Sequence, residues 1–288
     1  MPTLQDCVQL NCGVQMPLLG LGTYHLHGDE LRCSVDAALA AGYRAFDTAA
    51  VYGNEPDLGR ALRELLPRHG LTRADVFVIS KLDPADHGAR ALDGCLRSVE
   101  RLGCGAVDLF LLHWPGTAGL DPADPRNAAD RTLSWTALED LHRGGTFRAI
   151  GVSNYTPPHL RQLLSACRVP PAVLQTECHP ALCQTELRRA CGEAGVALQA
   201  YSSLGKGTLL RERQVGALAR ECGRTPAQVL LRWAVQQGVA VLPRSREPRR
   251  VRENARVFDF ELSAQDMTRL GALDCGRRFC KRDPSCVV

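Results

Sequence analysis

Short apolar runs alternate with helical segments along most of the chain, and that alternation limits the possible folds more than any other feature. The runs fall at residues 18–22, 44–48, 75–81, 107–113, 147–152, 172–176, 196–201 and 239–242. Each is nearly continuous in apolar residues, without polar positions at every second place, as expected of strands covered on both faces. The intervening segments carry helical signals. One starts near Asp29 as cap, sets Leu31, Val35, Ala38 and Leu39 on one face, and stops at Gly42. Further helices are expected at 56–66, 88–102, 133–141 and 158–166, the second with Leu92, Leu96 and Val99 facing inward. Strand followed by helix, repeated, builds a parallel sheet, and eight such units in 288 residues predict a (β/α)8 barrel. Residues 7–10 and 14–16, around Asn11-Cys12-Gly13, read as an N-terminal hairpin ahead of it.

An open doubly wound sheet is the competing architecture. It would carry a Gly-rich first turn for a dinucleotide, but after Gly20-Leu21-Gly22 the third position holds His25. No linker or low-complexity stretch divides the chain. The whole of 1–288 is therefore expected to be one domain, with its core at about 7–273 and an irregular, basic, cysteine-bearing tail at 274–288. The run Asp121-Pro122-Ala123-Asp124-Pro125-Arg126 fits a long loop of the barrel.

Charge is close to balanced, with 35 Lys and Arg against 31 Asp and Glu, so neither a nucleic-acid nor a membrane partner is expected. The 13 cysteines are scattered and odd in number, which suits reduced thiols better than a disulfide framework. No signal-peptide pattern or spanning apolar run is visible. The expected setting is the cytoplasm.

In such a barrel, working residues sit at the C-terminal ends of the strands. Asp47, Lys81, His113, Ser153-Asn154, Gln175, Tyr201 and Arg244-Ser245 close successive runs, and Tyr52 lies in the turn after Asp47. Each alone is an ordinary strand-end residue. Together, a phenol, an ammonium, a carboxylate and an imidazole at one mouth make a proton-transfer site. A phenol of pKa about 10 is a poor acid at neutral pH, and a neighbouring ammonium is expected to lower that value. Asp47 would hold the ammonium, and His113 would orient a substrate oxygen. The basic run from Pro243 to Arg252 lies where barrels often bind phosphate. By itself it reads equally as a solvated basic helix.

With these residues assembled, the chain resembles an aldo-keto reductase from the hairpin to about Leu273. The matching stretches are Asp47-Thr48-Ala49-Ala50-Val51-Tyr52-Gly53-Asn54-Glu55, Leu109-Phe110-Leu111-Leu112-His113-Trp114-Pro115, Ile150-Gly151-Val152-Ser153-Asn154-Tyr155, and Leu242-Pro243-Arg244-Ser245 through Glu253-Asn254. The resemblance implies a catalytic set of Asp47, Tyr52, Lys81 and His113, with Tyr52 as general acid. It implies an NADP(H) site of Ser153, Asn154, Gln175, Tyr201, Ser202, Leu204, Arg244, Ser245, Arg250, Glu253 and Asn254. Tyr24 and Trp114 would line a pocket for a small carbonyl substrate, and the protein would be a monomer. The chain departs from the family pattern at Arg244, where lysine is usual, and at Ser203, where proline is frequent. The 204–210 segment and the tail carrying Cys280 and Cys286 are short.

A different class of function is an NADPH-binding regulatory or protein-interaction subunit with weak catalysis. No catalytic residue is lost to support it. No metal is expected, because His25, His27, Cys178, His179 and Cys183 lack zinc-site spacing. Gly151-Val152-Ser153-Asn154-Tyr155 fails as a hydrolase nucleophile elbow, with Tyr155 where a glycine belongs.

Overall fold

Eight parallel strands form a barrel in which the sequence-order neighbours pair. The computed structural model describes residues 6–288. An antiparallel hairpin comes first, β1 (Cys7–Gln9) with β2 (Gln15–Pro17), in register Val8 to Met16. The barrel strands are β3 (Gly20–Gly22), β4 (Ala45–Asp47), β5 (Phe77–Leu82), β6 (Val107–Leu112), β7 (Phe147–Ser153), β8 (Val173–Glu177), β9 (Ala197–Tyr201) and β10 (Ala240–Val241). The helices are α1 (Gly28–Ala40), α2 (Glu55–Arg68), α3 (Ala91–Leu102), α4 (Arg126–Arg143), α5 (Pro157–Ala166), α6 (Thr185–Glu193), α7 (Arg213–Glu221), α8 (Pro226–Val235), α9 (Pro248–Ala255) and α10 (Ala264–Gly271).

The barrel closes where β10 returns to β3. Val241 N donates to Leu18 O at 2.8 Å and Gly22 N to Pro243 O at 3.2 Å. Glycine is needed at this seam, because a Cβ on Gly22 would lie 2.9 Å from Leu242 O. Every residue of β5, β6 and β8 is buried, which explains their continuous apolar runs: one face fills the barrel and the other meets the helices. Met16 of the hairpin is fully buried, and Gln199 Nε2 lies 3.6 Å from its sulfur.

Two expectations need correction. His27, not Asp29, occupies the cap position of α1, and Asp29 sits in its first turn. On α3, Leu92 and Leu96 face solvent, at 47% and 46% exposure. Ala91, Gly94, Cys95, Ser98 and Leu102 face the barrel instead. The cause is close approach: a Cβ on Gly94 would lie 2.7 Å from Asp86 Cβ and 2.8 Å from Leu82 Cδ1. Small residues must therefore line the inner side, and the larger leucines are left outside.

Candidate active site

Asp47 ends β4, and Lys81 lies near the end of β5 beside it. The two strands pair in parallel, with Asp47 level with Ile79. That register lets the long lysine chain reach back to the carboxylate. Lys81 Nζ donates to Asp47 Oδ1 at 2.8 Å, to Oδ2 at 2.7 Å and to Thr48 O at 2.8 Å. Lys81 is fully buried, and burial lowers its pKa against the opposing pull of Asp47. A buried ammonium is tolerated only when paired in this way.

Tyr52 stands in a single 3-10 turn, residues 50–52, closed by Gly53 at φ 67°. That left-handed conformation suits glycine. The Tyr52 side chain is partly exposed at the mouth, and its hydroxyl reaches inward to Lys81 Nζ at 3.4 Å. The ammonium also lies 4.9 Å from the centre of the Tyr52 ring. Here the expectation of a lowered phenol pKa is overturned. Burial of the hydroxyl raises it well above 10, and the Asp47 carboxylate adds to the rise. The carboxylate that holds Lys81 also acts on Tyr52, and desolvation disfavours the phenolate. Tyr52 therefore keeps its proton throughout the neutral range.

His113 follows β6, and its ring meets the edge of Tyr52 at a centroid distance of 5.6 Å. Burial, then the Lys81 charge, holds its pKa well below the usual histidine value, so the ring is neutral. Its Nδ1 is buried without a hydrogen-bond partner among the described residues. Tyr24, 48% exposed, packs on Tyr52 with ring centres 4.9 Å apart. Trp114 follows His113 and is partly buried.

The structure joins several of the other singled-out residues to this cluster. Gln175 Nε2 donates to Asp47 Oδ2 at 3.0 Å and to Gln199 Oε1 at 2.8 Å. Asn154 Nδ2 donates to His113 O at 2.9 Å and Ser153 Oγ at 3.0 Å, and Tyr201 O–H donates to Asn154 Oδ1 at 2.6 Å. Asn154 and Ser202 hold φ of 66° and 52°, a left-handed strain that turns up at sites more than elsewhere. Leu204 is partly buried after Ser202 and Ser203. Arg244 and Ser245 follow β10, and Arg250, Glu253 and Asn254 lie on α9. Arg244 is exposed, with no carboxylate at ion-pair distance among the described residues, whereas Arg250 pairs with Glu247 at 3.0 Å. The cluster and this basic edge thus border the same end of the barrel.

Sequence reasoning passed over Glu177, Gln199 and His87. Glu177 is fully buried at the end of β8 and accepts from the tail, from Phe279 N at 2.8 Å and Cys280 N at 3.2 Å. A charged residue closing an apolar run was the available signal. Both ring nitrogens of His87 are buried without partners among the described residues. Among the described residues no group of three or more His, Cys, Asp or Glu could hold a metal ion, no disulfide forms, and no helix is long and apolar enough to cross a membrane.

The model of the aldo/keto reductase family matches residues 18–274. An aldo-keto reductase of Mycolicibacterium vanbaalenii is 45% identical over 96% of this chain and 95% of its own length. The glyoxal reductase of Bacillus subtilis is 41% identical over 96% of each. Human aldo-keto reductase family 1 member A1 is 40% identical over 95% of this chain and 91% of its own. Among solved structures, an aldo/keto reductase from Brucella melitensis superimposes with a TM-score of 0.85 at 36% identity, covering 93% of this chain and 99% of that one. With the full barrel covered at these identities, the chain belongs to the aldo-keto reductase family of oxidoreductases.

Proposed function

We propose that the protein reduces a small aldehyde or ketone to the alcohol at the expense of NADPH, with Tyr52 as proton donor. The observation that carries this reading is the buried Lys81 ammonium, clamped by Asp47 and directed at the hydroxyl of a protonated Tyr52. When bound, NADPH supplies the hydride to the carbonyl carbon. The protein's part is to fix and polarise the carbonyl oxygen and to protonate it. Neutral His113 donates a hydrogen bond to that oxygen without competing for the proton. Tyr52 O–H passes its proton to the oxygen as negative charge develops there. Lys81, 3.4 Å away, stabilises the phenolate that remains. Asp47 keeps Lys81 charged and in place.

The residues fit a nicotinamide dinucleotide carrying a 2′-phosphate. Tyr201 offers an aromatic face, Ser153, Asn154 and Gln175 offer groups for the carboxamide, and Arg244 offers the phosphate a guanidinium that meets no carboxylate among the described residues. Ser202, Leu204, Ser245, Arg250, Glu253 and Asn254 would complete that surface. Tyr24 and Trp114 border the substrate side. The glyoxal-reducing relative supports a small carbonyl.

The test is Tyr52→Phe, assayed with NADPH and NADH against a panel of aldehydes. Turnover should fall by about a hundredfold to ten-thousandfold, the usual share of a general acid, with NADPH affinity kept. The wild type should prefer NADPH, and Arg244→Ala should remove most of that preference. Full activity in Tyr52→Phe would end the proton-donor assignment. Tight NADPH binding without turnover in the wild type would favour a binding subunit instead.

A further inference from the structure

We propose that Glu177 is a positioning residue whose buried carboxylate clasps the C-terminal segment over the barrel mouth and so sets access to the carbonyl site. The inference rests on reading that mouth as the reducing site.

Glu177 lies two residues beyond Gln175 on β8, so the two side chains share one face of the strand. It is fully buried. No Lys or Arg pairs with it among the described residues, and its side-chain neighbour is the His179 ring, with Nε2 3.2 Å from Oε1. The remaining lone pairs take backbone N–H groups from the tail. Phe279 N donates to Oε1 at 2.8 Å, and Cys280 N reaches Oε1 at 3.3 Å and Oε2 at 3.2 Å. Burial pushes the carboxyl pKa up, but the hydrogen bonds from His179, Phe279 and Cys280 outweigh it and leave the pKa lowered. The group is therefore ionised at neutral pH, and its bonds to the tail are charge-assisted ones, the stronger kind.

The segment held in this way touches the site. Cys280 Sγ lies 3.6 Å from Ser202 Oγ. The Phe279 ring packs 5.1 Å from the His179 ring. It also fills the space above Gly205, where an added Cβ would come within 2.8 Å of Phe279 Cε2. Ser202 and Gly205 belong to the loop after β9, on the side of the mouth assigned to the cofactor. One carboxylate thus orders a strap that borders the cofactor side of the site and whose Cys280 lies near enough to bear on Tyr52.

The ends of the strap are fastened independently. Arg277 N donates to Ala181 O at 3.0 Å on one side. On the other, Val288 N donates to Pro122 O at 3.0 Å and His159 Nε2 lies 2.9 Å from Val287 O. Removing the Glu177 carboxylate should free the middle of the strap while both ends stay attached.

The experiment compares wild type, Glu177→Gln and Glu177→Ala by two readouts. One is the rate of iodoacetamide labelling at Cys280, followed by peptide mass spectrometry with exposed Cys33 as internal reference. The other is KM and kcat for a small aldehyde with NADPH. Loss of hydrogen bonds to a charged acceptor should speed Cys280 labelling about tenfold in Glu177→Ala. Glu177→Gln, which keeps one acceptor oxygen, should fall between. KM should shift by a similar factor, about tenfold, while kcat stays within about twofold, as expected when ground-state and transition-state binding weaken together. Unchanged Cys280 labelling would overturn the clasp. Faster labelling with unchanged KM would overturn its control of access. Labelling needs no substrate, so a wild type without turnover would refute the reductase reading and still leave the clasp measured. Should Glu177→Ala fail to fold, Glu177→Gln decides alone.

Discussion

Asp47 and Glu55 are two buried carboxylates from one short stretch, and they end in different kinds of site. Glu55 accepts Ser80 Oγ at 2.6 Å and Arg101 Nε at 2.7 Å, and Arg101 is a partly exposed cation. Each oxygen has a strong protein partner, and Glu55 bears on the reactive cluster only through its charge, which helps keep Lys81 protonated. Asp47 takes the neighbouring residue of the same strand, Lys81, and here the cation is the fully buried member. Around that pair some hydrogen-bonding capacity is left over: the contact to Tyr52 is long at 3.4 Å, and His113 Nδ1 has no partner among the described residues. Buried charge is common to both clusters. What separates them is that one has its polar groups bonded to protein partners, while a phenol and an imidazole beside the other keep spare hydrogen-bonding capacity. Between these two clusters, incomplete satisfaction next to a paired charge, rather than burial of charge alone, picks out the candidate site.

Removing each cluster's charged member tests this contrast. The largest effect is expected for Lys81→Met. Turnover should fall about a thousandfold or more if Tyr52 is the proposed proton donor, because the phenolate it would leave loses its counter-charge. Stability should also fall by about 3–5 kcal/mol, because Asp47 is left buried and uncompensated. Glu55→Gln should cost about 1–3 kcal/mol of stability, since Arg101 can turn to water, while the turnover of folded protein stays within about threefold. Denaturant melts and steady-state assays on the two variants check both statements. Equal losses of turnover would mean that the Glu55 cluster belongs to the active site after all.

The same contrast explains how much the sequence could disclose. Strands with both faces buried write themselves as continuous apolar runs, so the barrel and the strand-end position of Asp47, Lys81 and His113 were legible. Depth was not. The sign of the Tyr52 shift depends on how far its hydroxyl sinks and on Asp47 being near enough to act on it, and neither follows from spacing. The inner face of α3 was misread because helices that press closest to a barrel turn small residues toward it, and Gly94, Cys95 and Ser98 carry little hydrophobic signal. Glu177 was invisible as a clasp because its partners are backbone N–H groups 102 and 103 positions away. Side-chain type marks no such pairing.

His87 offers the finest test, since it combines incomplete satisfaction with no paired charge of its own. Neither ring nitrogen has a partner among the described residues, and burial, the largest influence, brings its pKa down to about 4, with Asp130 and Asp86 opposing and Arg131 assisting. The folded value lies below the unfolded value of 6.5. Between these two values the unfolded chain binds a proton that the native state refuses. Stability is therefore full above about pH 6.5 and declines as pH falls toward about 4, by up to about 3 kcal/mol from this residue. His113 is shifted in the same direction and adds to the slope. His87→Leu removes the proton site without breaking any hydrogen bond, so at pH 7 its effect on stability should stay within about 1 kcal/mol. Across the acid window its unfolding free energy should fall less steeply than that of the wild type. If kcat at pH 7 holds within about twofold, an orphaned ring without a neighbouring buried ion pair is packing, and both conditions are needed to mark the site. If kcat collapses, His87 acts through His113, whose protonation it opposes, and the reactive cluster takes in the loop after β5.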